Sequence, residues 1–329
     1  MQRLSLVKDG DKWLSCPGSF IILAALILGL FACSPHLKPP GKVIGCAMLT
    51  NNAVLTSDGS ALPLHIWPGE EDPKAVLLAL HGFNDYGRFI KDAANFFSEH
   101  GVQVYSYDQR GFGRAPYHGF WPGKEALTSD LTTVARLLTK KHPGKPIYLL
   151  GTSMGGAVIM TAMAGDDPPS VTGTILIAPA VRGRSTMPFY HRWVLALAVR
   201  TLPWLKISSR GLNIKASDND EMLMALGRDP LIIKETRVDA IWGLVNLMDV
   251  ALESSNRFDV RALILYGAKD QIILKKPTEI FLSRLPKSSK GLQIIKHYEG
   301  GYHMLLRDLE GETVWWDILK WITPIYSVQ

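Results

Sequence analysis

Residues 146–164 place the tightest constraint on what this chain can fold into. Pro146-Ile147-Tyr148-Leu149-Leu150 is a short apolar run of strand-like character. Gly151-Thr152-Ser153-Met154-Gly155 follows at once, and residues 156–164 form a small-residue apolar run that suits a buried helix. Strand, G-x-S-x-G and helix in that order describe a sharp turn that presents a serine at the end of a strand, a nucleophile elbow. Glycines two places before and after Ser153 let the backbone turn without Cβ clashes. The helix that follows aims its first N–H groups at charge developing beside the serine. The pentapeptide alone is a weak signal in a chain with 29 glycines, where a chance match in a loop is the competing reading. The flanking strand and helix argue against that reading.

The rest of the chain repeats this alternation. Residues 53–55 and 62–67 flank the turn Ser57-Asp58-Gly59 and predict an antiparallel hairpin. Residues 75–80 (AVLLAL), 102–107, 174–178 (TILIA), 261–266 (RALILY) and 292–296 (LQIIK) read as strands. Helical segments are expected over about 89–100, 129–141 and 310–322. This spacing predicts an α/β fold, a mostly parallel central sheet flanked by helices, with ligands at the strand C-terminal ends. The alternation breaks over 182–257, which is expected to be an inserted helical cap, leaving 47–181 and 258–329 as the core.

The first half of the cap is basic and aromatic. Arg182, Arg184, Arg192, Arg200, Lys206, Arg210 and Lys215 precede its first acid, Asp218, and are interleaved with Phe189, Tyr190, Trp193 and Trp204. Such a segment suits an anionic membrane interface. A lid packed on the core with its arginines in water fits the pattern equally well, and both readings stay open.

Residues 20–32 (FIILAALILGLFA) carry no charge and follow Arg3, Lys8 and Lys12. The run is shorter than the roughly 20 residues a membrane-spanning helix needs and suits a signal-peptide core. It ends Leu30-Phe31-Ala32-Cys33, which resembles a bacterial lipobox, although Phe31 is large for its place. Residues 1–33 are therefore expected to be a lipoprotein signal, with an uncleaved signal anchor as the alternative. Residues 34–46, rich in proline at the start, are expected to be a tether. The expected location is the bacterial cell envelope, facing the periplasm.

A serine nucleophile needs a base, and the base needs an orienting acid. With the serine on a strand-to-helix elbow, the acid and then the histidine follow it along the chain. Asp270 comes directly after the strand at 261–266, whereas Asp259 lies at the wrong end of it and the cap acids lack a strand. His303 lies in a loop after the last strand; His297 lies in the strand pattern itself, where packing is the commoner role. Ser153, Asp270 and His303 are the expected catalytic residues. The oxyanion hole is expected from the backbone N–H groups of Met154, next to the serine, and Phe83, in the loop after residues 75–80. His81, which precedes the serine, is expected to shape that loop.

These residues resemble the monoacylglycerol lipase and lysophospholipase branch of the α/β-hydrolases. The likeness rests on His81-Gly82, Asp108-Gln109-Arg110-Gly111-Phe112-Gly113, Ser153-Met154-Gly155-Gly156, Gly267-Ala268-Lys269-Asp270 and His303-Met304-Leu305-Leu306-Arg307-Asp308. It runs from about Ala75 to the C-terminus. Phe83-Asn84-Asp85-Tyr86, Thr152 and Arg114 depart from the usual pattern and bear on the substrate more than on the chemistry. The resemblance implies a serine hydrolase acting on carboxylic esters of lipids through an acyl-enzyme, without cofactor or metal. A carboxylesterase or thioesterase of smaller substrates is the runner-up, and a non-catalytic lipid-binding lipoprotein is the reading from another class. Epoxide hydrolases and haloalkane dehalogenases carry aspartate where this chain has Ser153.

The expected partners are a lipid ester and a membrane surface, reached through the N-terminal anchor and the basic, aromatic cap. The net charge of +6 comes without a nucleic-acid-binding motif. The three cysteines, Cys16, Cys33 and Cys46, lie near the N-terminus, so disulfides do not hold the core together, and no Cys/His cluster suggests zinc. Oligomeric state is left open.

Overall fold

The computed structural model describes residues 34–323 apart from 209, 210, 212, 213 and 290. The signal segment, Cys16, Cys33 and Arg210 lie outside the described residues. No described helix is long and apolar enough to cross a membrane.

In chain order the elements are β1 (Met48–Leu49), β2 (Ala53–Leu55), β3 (Ala61–Trp67), β4 (Ala75–Leu80), α1 (Lys91–Glu99), β5 (Val102–Tyr107), α2 (Lys124–Lys141), β6 (Ile147–Thr152), α3 (Met154–Met163) and β7 (Gly173–Ile177). They continue with α4 (Phe189–Thr201), β8 (Lys206–Ser208), α5 (Asp220–Arg228), β9 (Glu235–Arg237), α6 (Val238–Ser254), β10 (Ala262–Gly267), α7 (Lys275–Arg284), β11 (Gln293–Tyr298) and α8 (Gly311–Ile322). Nine strands form one sheet in the order β1-β2-β3-β5-β4-β6-β7-β10-β11. From β5 to β11 every pairing is parallel, and the N-terminal strands join antiparallel.

Strands covered on both faces need apolar residues throughout rather than alternation. β4 and β10 meet that need, β7 does so apart from Thr174, and all the residues of the three strands are buried. β5 carries two polar residues, and both are satisfied: Ser106 Oγ donates to the Ala79 carbonyl at 2.9 Å and Gln103 Nε2 to the Trp67 carbonyl at 3.0 Å. One face of the sheet packs Leu131, Val158, Met160, Leu247 and Phe281 from α2, α3, α6 and α7; the other packs Phe97, Ile318 and Trp321 from α1 and α8.

The segment 182–257 differs from the all-helical cap expected of it. It contains an antiparallel two-stranded ribbon, with Lys206 opposite Arg237 and Ile207 opposite Thr236. Its last helix, α6, lies in the core layer, because Ala240, Leu247, Ala251 and Leu252 face the same apolar cluster as α3. Periodicity does not say which layer α6 joins, because the helix is apolar on most of its surface. Helix α2 begins at Lys124, five residues ahead of the expected start, directly after Gly123 at φ 97°.

The chain runs from β4 outward to β5 and then returns to β6 on the other side of β4. This is a reversal of strand order, and the crevice at the strand ends beside it is where open α/β sheets place ligands.

Candidate active site

Ser153 stands at the end of β6 with φ 50° and ψ −113°, a left-handed conformation that is costly for a residue with a Cβ. The flanking glycines avoid Cβ clashes, as expected, and the clashes they avoid are with neighbouring backbone. Neither has a positive φ; both permit close approach. A Cβ on Gly155 would sit 2.3 Å from the Leu80 carbonyl oxygen, and one on Gly151 would sit 2.5 Å from the Gly155 backbone. The elbow is thus pressed against the end of β4. Gly155→Ala is expected to lower stability by roughly 1–3 kcal/mol or more through overpacking, read as a fall in thermal midpoint; an unchanged midpoint would mean that this contact is slack.

The loop after β4 is held by His81, which is fully buried. Its Nδ1 donates to the Gly82 carbonyl at 2.8 Å, and its Nε2 accepts the Gln109 N–H at 3.0 Å. Those two bonds define a neutral ring, and burial lowers its pKa further from protonation. The turn bond runs from Asp85 N–H to the Gly82 carbonyl, leaving Phe83 N–H without a protein acceptor among the described residues. Met154 is the first residue of α3, so it has no helical acceptor one turn back. The Phe83 side chain packs edge-on to Phe112, at 5.6 Å between ring centres, and at a tilt to Trp121, at 6.2 Å.

Asp270 and His303 are brought together. His303 Nδ1 lies 2.8 Å from Asp270 Oδ2, while Asp270 Oδ1 accepts the N–H groups of Ile272 and Ile273 at 2.7 and 2.9 Å. Both side chains are nearly closed off from solvent. The two loops meet through glycine, since a Cβ on Gly267 would lie 2.4 Å from the carbonyl oxygens of Gly301 and Tyr302. Lys269 N–H donates to the Gly301 carbonyl at 2.9 Å across the same seam. His297, by contrast, is exposed on the edge strand β11 with its ring stacked on Tyr266. It is not a core-packing residue, and it does not line the Ser153 cavity.

Ser153 and His303 line one cavity of about 230 Å³. The Ser153 hydroxyl carries no hydrogen bond among the described residues; such bonds often tighten only when substrate is present. Phe89, Leu244, Met248, Ile272, Ile273 and Leu306 make most of the wall apolar, and Asp85 with Arg307 supplies a charged edge.

Several supporting groups were not singled out by the sequence. Arg307 and Asp85 form an ion pair at that edge. Asp308 accepts the Tyr302 N–H at 2.7 Å and the Ser217 hydroxyl at 2.6 Å, tying the His303 loop to the cap. Burial pushes Asp308 above the ordinary carboxyl range, against those two bonds. Met304 N–H also donates to the cap carbonyl of Ala216 at 3.0 Å. Asp108 accepts from His65 Nε2 and from the Gly87 and Arg114 N–H groups, each at 2.8 Å. Burial would raise its pKa, but those bonds, the one from His65 above all, outweigh it and hold the carboxyl below its usual range. Asp108, Arg307 and Asp308 all lie in the motifs that carry the family resemblance, but their partners His65, Asp85 and Ser217 do not follow from those motifs.

A family profile, that of the serine aminopeptidases S33 (Hydrolase_4), matches residues 71–310. The chain belongs to this family. Among individual relatives, the rat monoglyceride lipase is 27% identical over 290 residues, covering 84% of this chain and 91% of the relative. The monoacylglycerol lipase of Mycolicibacterium smegmatis is 24% identical, covering 80% and 93%. Of solved structures, a soluble variant of the Saccharomyces cerevisiae monoglyceride lipase aligns with a TM-score of 0.69 at 23% identity, covering 87% of this chain and 98% of that one. The Paleococcus ferrophilus monoacylglycerol lipase aligns at 0.65 and 20%, covering 80% and 98%. The family member described here is thus an α/β-hydrolase of monoglyceride lipase-like kind, as the sequence resemblance implies.

Proposed function

We propose that the protein is a serine hydrolase that cleaves carboxylic esters of lipids at a membrane surface, with a monoacylglycerol or lysophospholipid as substrate. The observation that carries this reading is the mainly apolar cavity lined by both Ser153 and His303, with Asp270 hydrogen-bonded to the far side of the His303 ring. Ser153 Oγ attacks the ester carbonyl carbon while His303 Nε2 takes its proton, and Asp270 keeps Nδ1 protonated and stabilises the imidazolium. The Phe83 and Met154 N–H groups receive the oxyanion. His303 returns the proton to the departing alkoxide, the alcohol leaves, and a water activated by the same ring hydrolyses the acyl-enzyme. The apolar wall takes the acyl chain, and the Asp85–Arg307 edge takes the polar end of the substrate.

Support for the membrane surface comes from α4. Phe189, Tyr190, Trp193, Val194 and Leu197 are all exposed, Trp193 at 74%, and the spacing of 189, 193 and 197 puts them along one side of the helix. Arg192 and Arg200 are exposed on the same helix. Exposed aromatic and aliphatic residues with basic neighbours favour an anionic bilayer interface. The lipid anchor and envelope location remain part of this proposal.

A fluorophosphonate probe should label the wild-type protein and leave Ser153→Ala unlabelled. In a panel of soluble short-chain esters, thioesters, aminoacyl amides, monoacylglycerols and lysophospholipids, the long-chain lipid esters should give the highest kcat/KM. Best turnover of short esters or thioesters would overturn the lipid assignment, and no labelling of folded protein would remove the enzyme reading. Trp193→Ser should reduce sedimentation with anionic vesicles while leaving short-ester hydrolysis unchanged.

A further inference from the structure

A second concavity lies at the base of the cap, separate from the Ser153 cavity. It is a groove of about 620 Å³ between the β8–β9 ribbon, residues 118–120 and residues 230–235. Lys206 and Arg237 are direct cross-strand partners, so their side chains leave the same face of the ribbon. Both line the groove together with Lys234 and His118, and Glu235 is the one acidic residue among its described lining.

These cations are arranged at different depths. Arg237 is fixed in place: its Nε donates to Asp239 Oδ1 at 2.9 Å, its Nη2 donates to Asp239 Oδ2, and its Cζ lies 4.5 Å from the centre of the Phe120 ring. A guanidinium has five N–H groups, so donors remain after two serve Asp239. Lys38 reaches the same aromatic ring, with Nζ 5.8 Å from its centre. Lys234 is half-buried and donates to the Asp229 carbonyl, with two further N–H groups to offer. Lys206 is exposed at the mouth. A phosphate group, with several acceptor oxygens, can take hydrogen bonds from more than one of these donors at once.

Two neighbours say where that anion comes from. Trp204 and Leu205, in the turn that leads into the same ribbon, are exposed at 54% and 45%. The proline-rich segment around residues 36–38 is also held here. His36 N–H donates to Asp239 at 3.2 Å, and Lys38 N–H donates to the Trp121 carbonyl at 2.9 Å. Asp239 N–H in turn donates to the Pro203 carbonyl at 3.0 Å. Residues 36 and 38 are therefore fixed beside the groove and its exposed apolar residues. Cations in a groove with indole and aliphatic side chains alongside match the order of groups at a bilayer boundary, headgroup phosphate first and acyl chains beyond.

We propose that this groove binds the phosphate of an anionic phospholipid headgroup and so fixes how the cap sits on the bilayer. The proposal rests on the membrane-surface reading above. It is tested with full-length wild-type protein, Lys206→Gln, Glu235→Gln and, as a charge-matched control on α4, Arg192→Gln. Each is sedimented with vesicles of phosphatidylcholine alone and of phosphatidylcholine with phosphatidylglycerol, and titrated with soluble glycerol phosphate.

Lys206→Gln should lower partitioning onto the anionic vesicles about tenfold or more, against the roughly fivefold that loss of a single interfacial charge such as Arg192 costs, and Glu235→Gln should raise it. Glycerol phosphate should bind wild type and Arg192→Gln but not Lys206→Gln. Equal losses for Lys206→Gln and Arg192→Gln would mean diffuse attraction and overturn the site. Glycerol phosphate binding that needs Lys206, with vesicle partitioning unaffected by Lys206→Gln, would assign the groove to a free phosphoester instead of a lipid. If wild type binds neither kind of vesicle, the membrane-surface reading itself falls and this proposal falls with it. Short-ester hydrolysis should be equal in all four proteins, since none of these residues lines the Ser153 cavity; a shared loss would report misfolding, and the thermal midpoint identifies it.

Discussion

Ser153→Ala is expected to lower kcat on a soluble medium-chain ester by about 10⁶-fold, and Asp270→Asn by about 10⁴-fold. The second figure follows from the hydrogen bonds of the acid. Asp270 Oδ1 already accepts two backbone N–H groups, so an asparagine placed there must turn its carbonyl toward Ile272 and Ile273 and its NH₂ toward His303. Nδ1 can then only accept, the proton moves to Nε2, and the ring presents a donor to a serine that needs a base. Geometry survives while the tautomer is wrong, so kcat should fall without a matching rise in KM. The double variant should be no slower than Ser153→Ala, because the base has nothing left to activate. Initial rates with the thermal midpoint as a folding control decide it. If Asp270→Asn stays within tenfold of wild type, another group orients His303.

The parts of this site that can be read from sequence are those carried by local pattern. The central strands are legible because burial on both faces forces unbroken apolar runs such as Ala75–Leu80. The elbow is legible because it sits between one such run and a helix, and Asp270 and His303 follow from their places after later strands. What escaped depends on distant partners. Gly155 looks like a turn residue, yet its constraint is the Leu80 carbonyl on another strand. Asp85 and Arg307 pair across 222 positions, and nothing near either residue announces the other. The β8–β9 ribbon has only three residues on each side, too few for a period to register. The position of helix α6 in the chain suggests the cap, whereas its buried side chains place it against the elbow helix.

The largest stability effect is expected at Arg110, which serves no step of the chemistry. Its guanidinium is buried between two buried carboxylates. Nε and Nη2 donate to Asp130 at 2.6 and 3.1 Å, and Nη1 and Nη2 donate to Asp58 at 2.8 and 2.9 Å. The Ser60 and Thr56 hydroxyls also accept, from Nη1 and Nη2 at 2.9 and 3.0 Å. One side chain thus ties the β2–β3 turn and α2 to the loop after β5, directly behind the oxyanion loop. Arg110→Met keeps the volume and strands two carboxylates, a change that costs about 3–5 kcal/mol in buried pairs of this kind. The pH dependence has a definite sign. The hydrogen bonds from Arg110, with help from Thr56 and the Gly41 N–H, hold Asp58 well below the usual carboxylate range. Its stabilising contribution is therefore present above the unfolded pKa of about 4 and is lost as pH falls toward the lower folded value. Burial pushes Asp130 the other way, upward, so its ionised form opposes folding and acid partly relieves it. In Arg110→Met neither carboxylate has a cation, and protonation of both should help the fold. The gap between wild type and variant in urea unfolding should then be widest near pH 7 and narrow toward pH 4. A gap that is constant with pH would mean that lost packing, and not stranded charge, sets the cost of removing Arg110.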